Sequence, residues 1–196
     1  MGIVLASTSP QRRAILAELG VEFEVVAPAY DEVPLRGSPE DVVRERALGK
    51  ARSVAALTER RPVVGADTEV VVDGDGVLGQ PADEEAARAM LRRLAGREHR
   101  VLSAVAVIGA GERVAVEETR VRIAALDDAA IAAYVARGEW RGRAGGYAIQ
   151  EGGGELIAAI DGDRSNVVGL PVGLLASLLA AEGVAMPSAG GNAARG

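Results

Sequence analysis

Ile3-Val4-Leu5-Ala6-Ser7-Thr8-Ser9-Pro10-Gln11-Arg12-Arg13-Ala14-Ile15-Leu16-Ala17-Glu18-Leu19-Gly20 runs from an apolar stretch, through three hydroxyls, into a helical pattern. Residues 3–6 predict a short buried strand. Ser9 suits the N-cap, Pro10 the first helical position and Gly20 the residue just past the helix end. A strand that feeds a helix through a tight turn is the opening move of an α/β fold. Arg12 and Arg13 then fall in the first helical turn, where the macrodipole is positive and the backbone N–H groups lack acceptors. Exposed cations there cost ~0.3–1 kcal/mol each. Either a carboxylate beside a solvated arginine pair or a bound anion would compensate them. The same strand, turn and helix N-terminus make a phosphate site, to which the hydroxyls of Ser7, Thr8 and Ser9 add donors.

Working outward, strands and helices alternate, with hairpins between them. Residues 21–27 predict an extended segment. Ser38-Pro39-Glu40-Asp41 starts a helix that reaches about Leu57, and residues 62–72 form a strand. Asp73-Gly74-Asp75-Gly76 is a hairpin turn. A helix opens at Asp83 and stops at Gly96. Residues 101–108 and 114–123 pair across Gly109-Ala110-Gly111, residues 127–137 are helical, residues 147–150 and 155–160 are extended, and residues 171–182 form a last helix. Hairpins together with helical crossovers imply a mixed sheet. One domain over residues 1–185 is expected, followed by a small, polar, loose tail over 186–196.

Composition narrows the chemistry. At 196 residues and 48% hydrophobic content the chain is long enough for one sizeable core or two joined lobes. Its formal charge of −6 gives no general field for DNA, RNA or anionic lipid, so an anion site must be local. No apolar run reaches the ~20 residues of a membrane span, and the N-terminus lacks the pattern of a secretion signal, which makes the cytoplasm the expected compartment. Cysteine is absent and His99 is the single histidine, so thiolate metal sites, thiol nucleophiles and histidine-dependent triads are improbable. Carboxylates, arginines, hydroxyls and a hard metal ion remain.

Of 22 basic residues only Lys50 is a lysine. It lies on the stripe Val43, Ala47, Lys50, Val54, an otherwise apolar helix face, and a cation on that face needs a partner. Two readings are open: a stem that snorkels its ammonium into water, or a point charge for phosphate. Asp67 is the matching acid. It sits in the strand Val63-Val64-Gly65-Ala66-Asp67-Thr68-Glu69-Val70-Val71-Val72, where a carboxylate is costly unless it is paired, hydrogen-bonded or bound to metal. Gly65 and Ala66 leave room for another group to approach. Asp31 and Glu32 could join Asp67 around a hard divalent cation. His99 is expected to be structural. Trp140 and Tyr147 could stack on a base or simply pack. Gly152-Gly153-Gly154 is expected to be a hairpin turn, and Arg60-Arg61 and Arg92-Arg93 solvated faces.

The order of the blocks Leu5-Ala6-Ser7-Thr8-Ser9-Pro10-Gln11-Arg12, Ala47-Leu48-Gly49-Lys50-Ala51, Gly65-Ala66-Asp67-Thr68, Leu94-Ala95-Gly96-Arg97-Glu98-His99-Arg100-Val101, Gly138-Glu139, Ala144-Gly145-Gly146-Tyr147-Ala148-Ile149-Gln150 and Asn166-Val167-Val168-Gly169-Leu170-Pro171 resembles the Maf family of nucleoside triphosphate pyrophosphatases. The resemblance covers roughly residues 3–182. It implies an elongated, strongly twisted mixed β-sheet flanked by helices, two lobes with a central cleft, and a cytoplasmic homodimer. It also implies hydrolysis of a nucleoside triphosphate to monophosphate and pyrophosphate with a divalent cation, Mg2+ or Mn2+. Carried over residue by residue, Asp67 is the base or metal anchor with Glu32 as supporting acid. Ser7, Ser9, Arg12, Arg13, Lys50 and Arg143 hold phosphates, and Gln11, Thr68 and Gln150 sort substrates. Three departures bear on rate and substrate range: Gln11 where arginine is commoner, Gln80 where lysine is usual, and Gly142-Arg143 in place of Asp-Lys. Thr68 and Gln150 match the branch acting on dTTP and UTP. Gln11 does not, which keeps 7-methyl-GTP as an alternative substrate. A nucleotide-binding regulator of cell division with little turnover is the alternative of a different class.

Overall fold

The computed structural model describes residues 2–31, 35–58, 61–74 and 76–187. Strand β1 (Ile3–Ala6) leads into helix α1 (Pro10–Glu18), and the chain returns as β2 (Phe23–Val26). Ser9 caps α1, its side chain accepting the Arg12 N–H, with Pro10 in the first turn. Gly20 follows at φ 66, the left-handed conformation that releases the chain from the helix. Helix α2 (Pro39–Ala55) crosses to β3 (Val63–Val72), which turns back as β4 (Gly76–Leu78). A capping box between Ser38 and Asp41 starts α2. Helix α3 (Glu84–Leu94) precedes the long hairpin of β5 (Glu98–Ile108) and β6 (Glu112–Ile123). Helix α4 (Asp128–Ala136), strand β7 (Ile157–Asp161) and helices α5 (Arg164–Val168) and α6 (Val172–Ala180) complete the described chain.

Among the described residues the seven strands form one mixed sheet in the order β2-β1-β3-β5-β6-β7, with β4 also on β3. β1 pairs parallel with both β2 and β3, while the β3–β5, β5–β6 and β6–β7 pairs are antiparallel. β3 is covered by β5 on one side from Val63 to Val71. On its other side β1 pairs only as far as Ala6 with Gly65, and β4 begins only at Val70 with Leu78. Residues 66 to 69 therefore have strand neighbours on one side alone, and a gap opens in the sheet.

Apolar clusters frame this gap. On one face α2 packs Val43, Ala47, Ala51 and Val54 against Val4, Ala6, Val63 and Val71. The opposite face is split in two. Near β1, Leu16 of α1 and Leu175 and Leu179 of α6 cover Ile3, Leu5, Val64 and Ala66. Farther along, Leu91 and Leu94 of α3 and Ile131 and Val135 of α4 cover Val70, Val72, Val101 and Val121. These are the two lobes that the resemblance implies, with the sheet running through both.

The structure corrects two expectations and adds one element. Residues 147–150 are not a strand. The Ala148 N–H goes to the Tyr134 hydroxyl at 2.9 Å and the Glu151 N–H to the Ala148 carbonyl at 3.0 Å, so a turn and a side chain take the donors a strand would use. Gly152–Leu156 is a short 3-10 helix rather than a hairpin turn; a Cβ at Gly153 would sit 2.6 Å from the Ala148 carbonyl oxygen, and only glycine permits this approach. Helix α5 was absent from the sequence reading. Its five residues are too few for periodicity to show, and the Asp163 side chain caps it through the Ser165 N–H at 2.7 Å. Of the expected tail, Met186 packs on the cluster near β1, and residues from 188 onward lie outside the described residues.

Candidate active site

The gap beside β3 is the floor of a cleft of about 770 Å3. Side chains alternate across a strand, so Asp67 and Thr68 belong to opposite faces of the sheet. Both line this one cleft because it wraps around the free edge of β3. The turn after β1 supplies Ser7, Ser9, Gln11 and Arg12, helix α2 supplies Lys50, and the loops of the far lobe supply Gln80, Arg143 and Gln150.

On the α2 face, β3 carries charge. Gly65 lets the helix come close: a Cβ there would lie 2.4 Å from the Ala47 carbonyl oxygen and 2.8 Å from the Ala51 nitrogen. The Lys50 ammonium then reaches Asp67 Oδ1 at 2.6 Å. The ammonium turns inward onto a carboxylate rather than out into water, which is the observation that bears on the two readings of Lys50. Asp67 is 6% exposed, and its Oδ2 is buried and accepts no hydrogen bond from the described residues. One helical turn before Lys50, Arg46 Nη1 donates to Glu69 Oε1 at 2.7 Å and stands 3.8 Å from Asp67 Oδ2. Arg46 and Glu69 were missed in the sequence. The available signal was spacing: Arg46 precedes Lys50 by four residues on the helix, and Glu69 follows Asp67 by two on the strand, so each shares its neighbour's face.

The opposite face carries hydroxyls and amides. Arg12 Nε donates to the Gly169 carbonyl at 2.9 Å and Nη1 to the Ala66 carbonyl at 2.9 Å, while Nη2 reaches Thr68 Oγ1 at 3.2 Å. Its guanidinium thus bridges the free strand edge and the turn between α5 and α6. Thr68 Oγ1 and Ser103 Oγ share a 2.8 Å hydrogen bond in which either hydroxyl can donate, with the Gly169 carbonyl 3.4 Å from Thr68 and the Asn166 carbonyl 3.2 Å from Ser103. Asn166, fully buried, donates to the Val101 carbonyl at 3.0 Å and to Thr119 Oγ1 at 3.0 Å. A hydrogen-bond chain therefore runs from Arg12 at the cleft into β6.

Ser7 Oγ accepts from the Ser9 N–H at 3.1 Å, and Ser9 Oγ donates to Gln11 Oε1 at 3.0 Å. These contacts hold the phosphate-type turn in shape. Arg143 lies in the cleft wall with Nη2 on Glu151 at 3.0 Å. Gln150 is exposed at the cleft mouth, and Gln11 and Gln150 also border a second, more apolar cavity of about 710 Å3. Arg13 is exposed and is not among the lining residues. It follows Arg12 on α1 and so points about 100° away around the helix. Glu32, the expected supporting acid, lies outside the described residues. Asp31 is exposed and is not among the residues that line the cleft.

His99 and Trp140 are packed in the core, while Tyr147 is buried at the cleft wall. His99 is buried, its Nε2 lies 2.7 Å from the Tyr147 hydroxyl, and burial pulls its pKa down to about 4. Burial also raises the phenol pKa of Tyr147, which lines the cleft with its hydroxyl turned to His99, and pushes that of Tyr134 up to about 12. Trp140 is buried and donates to the Val135 carbonyl at 3.0 Å, a core role. Arg61 pairs with Glu24 and Arg92 with Asp128 at the surface, as expected of solvated faces, and Arg60 lies outside the described residues. No helix among the described residues is long and apolar enough to cross a membrane.

Comparison with known proteins places this geometry in a family. A protein named dTTP/UTP pyrophosphatase from Pelotomaculum thermopropionicum is 46% identical over 181 residues, which cover 90% of this chain and 94% of that one. A protein of the same name from Symbiobacterium thermophilum is 48% identical over 87% of this chain and 88% of its own. A third, from Myxococcus xanthus, is 44% identical over 94% of both. Residues 2–182 match the family described as Maf-like protein. With the cleft, its strand acid and its helix lysine in the order the resemblance implies, the chain belongs to the Maf family.

Proposed function

We propose that the protein is a pyrophosphatase of pyrimidine nucleoside triphosphates, taking dTTP, UTP or modified forms to the monophosphate and pyrophosphate and so clearing non-canonical nucleotides. The observation that carries this reading is the buried Asp67 carboxylate, held at 2.6 Å by Lys50 on the one stretch of β3 that the sheet leaves open to a cleft. The names of the relatives favour dTTP and UTP over 7-methyl-GTP and over a regulator with little turnover. A single domain over residues 1–185, a cytoplasmic location and a homodimer belong to the same reading, supported by the family resemblance.

In this reading the triphosphate lies along the cleft, with its charged tail toward Ser7, Ser9, Arg12, Lys50 and Arg143. Asp67 orients a water and takes its proton as the oxygen bonds to the α phosphorus; the α–β anhydride breaks and its electron pair leaves with pyrophosphate. Cations fixed beforehand near the leaving group stabilise that charge without reorganising. Arg13, exposed outside the cleft, takes no part. The site also fits a hard divalent cation, Mg2+ or Mn2+. Asp67 Oδ2 is buried without a hydrogen bond, and Glu69 adds a second carboxylate on the same face. Among the described residues no cluster of three or more metal-ligating acids or histidines forms, so phosphate and water oxygens would fill the remaining positions. Such an ion, when bound, supplies Lewis acidity toward the phosphates and a more acidic water.

Base choice falls to Gln150 and Thr68, with Gln11 beside them. An amide offers a donor and an acceptor, which matches the carbonyl and imino N–H of uracil or thymine. The experiment is incubation with Mg2+ and a panel of triphosphates. Pyrophosphate release from dTTP and UTP is expected with kcat/KM about 10- to 100-fold above ATP, GTP and 7-methyl-GTP, a gap that Gln150→Ala narrows. Release from no triphosphate would overturn the reading, and preference for 7-methyl-GTP would make Gln11 the deciding residue.

A further inference from the structure

Arg46 and Glu69 belong to no motif singled out in the sequence, yet they stand directly beside Lys50 and Asp67. The four side chains make a rectangle of charge: Lys50 on Asp67 at 2.6 Å, Arg46 on Glu69 at 2.7 Å, and Arg46 across to Asp67 Oδ2 at 3.8 Å. All four line the cleft. Single-nitrogen arginine–carboxylate contacts recur at this molecule's surface, as in Arg61 with Glu24 and Arg92 with Asp128, and one exposed pair is held more tightly. Arg52 grips Glu112 through Nε and Nη2, with contacts at 3.0, 3.1 and 2.6 Å onto both carboxylate oxygens. Arg46 holds Glu69 through Nη1 alone, and its Nε is buried with no hydrogen-bond acceptor among the described residues. A guanidinium with five donors that spends so few of them, at the wall of a cleft, is under-used as a strut and well suited to a planar anion with several oxygens.

We propose that Arg46 is a further polyphosphate-binding residue and that Glu69 is its resting counter-ion. The rectangle carries two positive and two negative charges, which keeps the two buried carboxylates tolerable beside their half-buried cations. When a polyphosphate enters, Arg46 leaves Glu69 for a phosphate oxygen, and Glu69 is left facing the same volume as Asp67. The ligand thus competes with Glu69 for one guanidinium. This rests on the phosphate-site reading of the cleft and adds a residue and a mechanism of exchange to it.

Competition predicts opposite signs for the two halves of the pair. The test is calorimetric titration of the full chain with inorganic tripolyphosphate in metal-free buffer. Arg46→Ala should weaken binding about tenfold or more, and Arg46→Lys by less. Glu69→Gln should tighten binding severalfold, because it removes the competitor and one like charge. A pair that served only the fold would move both variants in the same direction, together with a lower melting temperature. Affinity within twofold of wild type for Arg46→Ala, or weakening by Glu69→Gln, overturns the proposal, as does a wild-type protein that does not bind tripolyphosphate. Failure of the pyrophosphatase reading is separable: wild type would then bind tripolyphosphate, with opposite shifts in the variants, and still release no pyrophosphate from any nucleotide.

Discussion

The two faces of β3 are built from different materials within the same few residues. The face toward α2 carries Asp67 and Glu69, each on a cation. The face toward α5 and α6 carries Thr68, tied to Arg12, Ser103 and, behind them, Asn166. Ion pairs that face a cleft can exchange partners with an incoming anion. Hydrogen bonds anchored on backbone carbonyls have no such alternative, since releasing Ala66 or Gly169 would strand a buried acceptor. In the proposed reading the charged face carries the chemistry, while the face of Thr68 and Arg12 both holds the strand edge still and lines the cleft for substrate. This division can be broken experimentally.

The largest expected effect is on the charged face. Asp67→Asn should lower turnover by roughly a hundredfold or more while triphosphate binding persists, because it removes the base and leaves the cations. Steady-state kinetics with calorimetric binding checks this, and unchanged turnover would refute the role. Next is the neutral face. Asn166→Ala deletes buried bonds to Val101 and Thr119 and should cost roughly 2–3 kcal/mol, seen as a melting point lower by about 5–10 °C. Activity per folded molecule should fall far less than in Asp67→Asn.

Lys50 and Arg12 sharpen the comparison, since both are cations at the cleft but on opposite faces. Lys50→Ala should weaken triphosphate about tenfold and monophosphate much less, and it also takes the nearest cation from the buried Asp67. Arg12→Ala should weaken triphosphate too, with a clear loss of stability, because Ala66 and Gly169 lose their shared donor. Unchanged triphosphate affinity in either variant would remove that cation from the phosphate-binding role.

The smallest effect concerns His99, away from both faces. Its pKa falls from 6.5 to about 4 because burial disfavours the cation. The unfolded chain takes up a proton first as pH drops, so the stabilisation present above pH 6.5 is lost on going down toward pH 4. Between pH 7.5 and 5.5 the loss is about 1 kcal/mol, and His99→Gln should flatten that part of the melting-temperature profile.

The sequence shows much of this because some signals are local. The N-cap at Ser9, the proline after it and the glycine at the helix end fix β1–α1 without reference to anything distant. Lys50 on an apolar stripe and Asp67 in an apolar strand were each costly alone, so their pairing could be anticipated. Arg12 was different. Its position in the first helical turn demanded an acceptor, but nothing local indicates that the acceptors are carbonyls at Ala66 and Gly169, the latter 157 positions away. Arg46 and Glu69 looked like ordinary members of a charged helix and a strand; only the close approach allowed by Gly65 brings them together. Residues 147–150 misled because their composition is that of a strand, while the Tyr134 hydroxyl takes a donor that no local pattern could reveal.

The opening beside β3 also bears on self-association. A strand with a bare edge is a template onto which a second chain can add, and proteins shorten or block such edges. Here the bare stretch spans residues 66 to 69, closed off by β1 at one end and β4 at the other. Arg12 already occupies the Ala66 carbonyl. What remains is too short to seat another strand yet open to a small anionic molecule, so the interruption that admits a ligand is no template for a second chain.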